Sequence, residues 1–182
     1  MKNKKGQLLN IQGLLFLFLF MGFVLAAGLI IVFISSITNF VFDTAVPEIT
    51  NLGMIGSTNF TEATDASIVP LNDLVQSFTW FAGIIYIALL GGCLVIAMVI
   101  SQGGLSKWLM GLFLALGILL IIVSMFVSNV YEDFYNDTDE IGTRMKEHKV
   151  LSFLVLYAPN IFTVIIFLCG IIMFSGIGRD EF

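Results

Sequence analysis

Apolar and polar positions fall in long alternating blocks along this chain. An uncharged, strongly apolar block runs from residue 8 to about 42, and a polar block follows from 43 to 77. Two apolar runs joined by a short turn at 101–107 fill 78–130, a second polar block covers 131–149, and a last apolar run extends from 150 to 177. Each run of the central pair has about 23 residues, roughly 35 Å as a helix against a hydrocarbon core of about 30 Å. The pair contains no acidic residue, and its only basic one, Lys107, sits in the turn. A turn this short cannot leave the membrane surface on which it emerges, so the two runs predict a transmembrane hairpin that fixes the sidedness of everything around it.

The first apolar block is near 50 Å as a helix, roughly 1.5 Å per residue, so it projects beyond the bilayer or tilts. It is too long for the apolar region of a secretory signal peptide and reads as an anchor that stays. In the last run Pro159 removes a backbone donor and disfavours helical geometry at Ala158. Either that helix is kinked in its outer part, or residues 150–157 lie along the interface and the span proper starts near Asn160. The pattern predicts an all-α, polytopic integral membrane protein: one membrane domain over residues 1–182, with four transmembrane helices near 9–40, 78–100, 106–130 and 150–177. The polar blocks at 43–77 and 131–149 are expected as small external loops, with Pro47, Gly53, Gly56 and Pro70 as breakers in the first.

Composition agrees with lipid as the solvent. Hydrophobic residues make up 58% and charged residues 12% of the 182, against roughly 45–50% and 25% in soluble domains. No basic patch interleaved with aromatics is present, which sets nucleic-acid binding aside. Of the net charge of −5, the acids gather in the two polar blocks, and the first of these has no Lys or Arg. Lys2, Lys4 and Lys5 cluster at the N-terminus, with Lys107 and Arg179 on the same side, against Arg144, Lys146 and Lys149 on the other. The distribution predicts both termini in the cytoplasm and both acidic blocks outside, in a cell membrane or a viral one.

Lys4-Lys5-Gly6-Gln7 followed by a long apolar helix resembles the class III, prepilin-type leaders of archaea. The resemblance covers the first 40 or so residues and implies a cut after Gly6 and a surface component whose mature chain begins at Gln7. The further apolar runs have no counterpart in it.

Candidate chemistry is sparse. Apart from Lys107 in the turn at the very start of the third, no Asp, Glu, Lys, Arg or His lies within a predicted span, which argues against a pump, a proton-coupled transporter or an intramembrane protease. No nucleophile motif, phosphate-binding loop or paired carboxylate in an apolar setting appears, so the chain reads as non-enzymatic, without cofactor, metal or small-molecule substrate. Cys93 and Cys169 fall inside apolar runs and read as packed thiols. The acids Asp133, Asp137, Asp139 and Glu140 with Asn136 do not match calcium-loop spacing and read as solvated. His148 stands alone. Asn59-Phe60-Thr61 and Asn136-Asp137-Thr138 are glycosylation sequons on one predicted face.

Small residues recur at i, i+4 as Gly22 with Ala26, Ala88 with Gly92, and Gly111 with Ala115. In lipid, close backbone approach replaces apolar burial as the force between helices, so these pairs are expected packing faces, toward this chain or another. The function this suggests is a structural or accessory subunit of a larger membrane assembly, with other membrane subunits or copies of itself as partners. A homo-oligomeric pore using Ser124 or Ser128 and a prepilin-like surface component are the alternatives.

Overall fold

A computed structural model describes residues 2–55, 58–103 and 105–175. Six helices account for most of them: α1 (Lys2–Thr50), α2 (Phe60–Ser101), α3 (Lys107–Asn136), α4 (Glu140–Glu147), α5 (Lys149–Leu156) and α6 (Ala158–Phe174). The Lys4-Lys5-Gly6-Gln7 leader is described by its helical backbone alone, while Gly56 and the tail 176–182 with Arg179 lie outside the described residues. Helices α1, α2 and α3 are each long and apolar enough to cross a membrane, and α5 with α6 forms a fourth candidate bent by 74°. The chain is thus all-helical with three to four candidate spans, apart from a two-residue antiparallel ribbon, Met54–Ile55 with Thr58–Asn59, at the tip of the α1/α2 hairpin.

The four long elements pack in a ring, α1 on α2, α2 on α6, α6 on α3 and α3 on α1. Each presents one buried stripe. On α1 it is Leu14, Leu17, Phe18, Met21, Val24, Leu25 and Val32; on α3 it is Leu109, Phe113, Gly117, Leu120, Ser124, Ser128 and Tyr131. These spacings of three and four residues keep a single face turned inward along the helix. Edge-to-face rings tie three helices together at one level, Phe18 to Phe113 at 5.4 Å and Phe113 to Phe174 at 5.4 Å. Cys93 and Cys169 are free and fully buried, with Cys169 Sγ 3.7 Å from the Cys93 carbonyl, as packed thiols would be.

The first polar block departs from the expected loop. Helix α1 continues through Pro47 to Thr50, α2 begins at Phe60 and continues through Pro70, and only residues 51–59 turn the chain. Each proline removes one backbone bond. Packing of α1 on α2 continues beyond the apolar stretch and outweighs that loss. Gln76 Nε2 donates to Asp43 Oδ1 at 3.3 Å, and the Thr61 hydroxyl donates to the Thr50 carbonyl at 3.0 Å. Asn59 starts α2 by accepting the Glu62 amide at 3.3 Å, a side-chain N-cap. Gly53, at φ +61, is the breaker that acts as one, in a left-handed conformation that costs glycine little.

The second polar block is also ordered. Residues 131–136 extend α3, and Asp139 caps α4 through the Gly142 amide at 2.7 Å. The last apolar run breaks at Tyr157, with Pro159 in the first turn of α6, where its missing donor costs nothing. Of the two readings of Pro159, the 74° bend matches an outer segment turned across the end of the bundle better than a mild kink.

Candidate functional site

The expected packing pairs lie mostly on the outside. Ala26, Ala88, Gly111 and Ala115 are exposed, and a methyl group added at Gly22 or Gly111 would meet nothing within 4 Å. Gly92 is the exception, half-buried, with a methyl there 3.4 Å from the Phe20 ring. The glycines that admit close packing inside the chain are others. A methyl at Gly28 would stand 2.6 Å from the Tyr86 ring, at Gly83 2.9 Å from Val150, and at Gly117 3.0 Å from Ile166. Each receives a bulky side chain from a different helix, a pairing that a search for small residues in one segment does not reveal.

Seen from outside, α2 carries a long unpartnered apolar seam. Leu71, Leu74, Phe78, Phe81, Ile85, Ala88, Val95 and Val99 are all exposed, with the half-buried Gly92 completing the series. These positions follow the alternating three- and four-residue spacing of a heptad seam. Its outer end, Leu71 and Leu74, lies in the polar block among Asn72, Asp73, Gln76 and Ser77, and Leu74 is 59% exposed. From residue 74 to 106 no charged residue interrupts it. Trp80 on α2 and Trp108 on α3, both exposed, mark opposite ends of the central hairpin, where aromatic belts are expected.

Two lateral clefts accompany this surface. One, of about 540 Å³, opens between α3 and α6 and is lined by Met110, Phe113, Ile166, Phe167 and Gly170 among others. The second, of about 330 Å³, lies between α1 and α2 and is lined by Ile31, Ile34, Ser35, Thr38, Val75, Phe78 and Ala82. Both linings are almost wholly apolar.

Apart from the buried Tyr86 hydroxyl beside Gly28, the polar side chains of the described interior gather toward the end where α4 and α5 pack. Ser124 donates to the Ile121 carbonyl at 2.7 Å within its own helix, and Ser128 donates across the bundle to the Leu156 carbonyl. Both face inward, so neither is available on an outer face to line a pore between copies. The Tyr131 hydroxyl donates to Ser152 Oγ at 2.6 Å, and the Ser152 hydroxyl in turn donates to the Met145 carbonyl at 2.7 Å. Asp43 joins three helices, pairing with Arg144 of α4 and accepting from Gln76 of α2; Arg144 also meets Glu147 Oε1 at 3.2 Å. One turn along α1 from Asp43 is Asn39 and two turns along is Ser36, while His148 is one turn along α4 from Arg144; all three are buried, and Ser36 Oγ and Asn39 Oδ1 lack a hydrogen-bond partner. Burial pulls the proton affinity of His148 below that of an ordinary histidine, opposed by the nearby backbone of Thr79.

The two sequon asparagines differ. Asn59 is engaged as the α2 cap, whereas Asn136 ends α3 with an exposed side chain. Among the described residues no group of three or more His, Cys, Asp or Glu side chains is arranged to hold a metal. No family model matches the chain, and neither a curated protein nor a solved structure matches it at a significant level.

Proposed function

We propose that this chain is a non-enzymatic structural or accessory subunit of a membrane assembly, with both termini cytoplasmic and the acidic ends of α1 and α2 outside. The observation that carries the reading is the α2 seam. Lipid can cover its inner part, but Leu71 and Leu74 continue it into the polar block, where apolar side chains exposed to water favour a protein partner. A helix following a heptad seam wraps it with a left-handed twist, and Ala88 and Gly92 permit close approach midway. The outward placement of Gly22, Ala26, Gly111 and Ala115 supplies further faces of the same kind.

The test is extraction from the native membrane in a mild detergent, followed by the mass and composition of the particle. The expected particle exceeds the 20.0 kDa chain by at least one further polypeptide, the same or another. Leu74→Glu with Phe78→Glu should weaken it by tenfold or more, since losing a buried anchor costs upward of about 1 kcal/mol. A lone monomer from the unmodified chain ends this reading.

A further inference from the structure

We propose that the cleft between α3 and α6 binds one phospholipid of the cytoplasmic leaflet, with an acyl chain lying in the groove and the phosphate at Lys107. The site rests on the membrane reading above but not on the α2 seam, since the groove is lined by α3 and α6. Its length is the first indication. Along α3 the lining runs from Met110 to Ile121, and along α6 from Ser175 back to Thr163. These stretches are about 17 Å of helix, slightly more than half of a hydrocarbon core of about 30 Å. The groove therefore reaches from the membrane surface near the 101–107 turn to about the midplane, the depth that the chains of one leaflet occupy.

Its width separates a lipid from a protein partner. A volume of about 540 Å³ over that length leaves a mean cross-section of about 30 Å². A helix of about 10 Å diameter needs about 80 Å². The groove is too narrow for a partner helix, while an extended hydrocarbon chain fits. Its floor is also preformed. The Phe113 ring is buried and held by edge-to-face contacts with Phe18 and Phe174, both at 5.4 Å. Gly170 lets that ring lie low, for a methyl group there would stand 3.2 Å from it. Thr163 lines the inner end, and its hydroxyl is satisfied by donating to the Pro159 carbonyl at 2.7 Å. A rigid groove of this chemistry receives an apolar chain without rearranging.

The mouth carries the charge that a phosphodiester needs. Lys107, Met110 and Leu114 fall at i, i+3 and i+7 on one face of α3, and Lys107 is exposed one turn outside the groove. Its ammonium has three donors and makes charge-assisted bonds to phosphate oxygens. No acidic residue lies between Asp73 and Glu132 along the chain, so the hairpin turn adds nothing that would repel an anion. Trp108, exposed beside Lys107, marks the same level as the interface.

The full chain in mild detergent is titrated with palmitoyl-oleoyl phosphatidylglycerol and followed by native mass spectrometry. One lipid should bind ahead of the rest. Leu114→Trp and Ile171→Trp, at exposed rim positions, should each fill the groove and weaken that first lipid by about tenfold or more. Lys107→Gln should weaken it by about tenfold. Leu119→Trp, exposed on the opposite face of α3, should leave it unchanged. Circular dichroism checks that each variant keeps its helicity. No preferred lipid, unchanged binding in both groove variants, or an unchanged Lys107→Gln overturns the site. So does a polypeptide of the native particle that the groove variants shed in place of lipid. A chain that stays dispersed without detergent overturns the membrane reading and the site with it.

Discussion

Gly28 and Gly22 sit on the same helix six residues apart, and the structure assigns them opposite sensitivities. In Gly28→Ala the new methyl meets Tyr86 Cε2 at 2.6 Å, Cζ at 2.9 Å and the hydroxyl oxygen at 3.1 Å. Contacts this short force a shift, and the Tyr86 ring is fully buried, so α1 and α2 must separate or the ring must leave its rotamer. Overpacking of this kind costs about 1–3 kcal/mol. In Gly22→Ala nothing lies within 4 Å, and the change gains up to about 1 kcal/mol of helix propensity. Reversible unfolding in mixed micelles, followed by loss of helical signal, measures both. Tyr86→Ala serves as the second arm of a cycle: it opens a cavity of its own but removes the clash, so the double variant should lose at least about 1 kcal/mol less than the two single losses together. Equal losses at the two glycines, or an additive cycle, would refute the packing described for α1 on α2.

Asp139→Ala should remove the N-cap of α4 and weaken that helix by about 0.5–2 kcal/mol, read as faster amide exchange over residues 140–147 with α3 unaffected. Ser128→Ala should cost about 0.6–2 kcal/mol through loss of the bond to Leu156, and Ser124→Ala less, because Ser124 bonds only within its own helix. Both serine variants are compared by the same micellar unfolding. The prepilin-type resemblance predicts a mature chain beginning at Gln7 in the native host; an intact-mass measurement that finds Met1 ends that reading.

The long apolar helices were legible because they rest on block lengths. Four apolar runs and a proline near the start of the last are enough to place three long helices and an interrupted fourth. The outer extensions were not legible. Pro47, Pro70 and the acids around them resemble a loop, and what makes these residues helical is contact between α1 and α2, which lies far apart in sequence. The small-residue pairs show the same limit. Spacing identifies residues sharing a face but not the direction in which the helix turns it, and Gly28, Gly83 and Gly117 are recognisable only beside Tyr86, Val150 and Ile166. His148 reads as one isolated ring in a charged stretch. Its burial arises from an elbow that forms when α4 and α5 fold over the bundle.

The bend at Tyr157 leaves α6 with only 17 residues, about 26 Å at 1.5 Å per residue. Its neighbours α2 and α3 have 42 and 30 residues, so the chain presents a short wall on one flank and tall walls on the others. Under the membrane reading proposed above, a bilayer of about 30 Å would have to thin by a few ångströms along the short wall, at a cost of fractions of a kcal/mol per ångström. Thinner membranes, or short-chain lipids gathered on that side, relieve the cost. On that reading the bend at Tyr157 would give the protein a preference among bilayers and a favoured flank within each one.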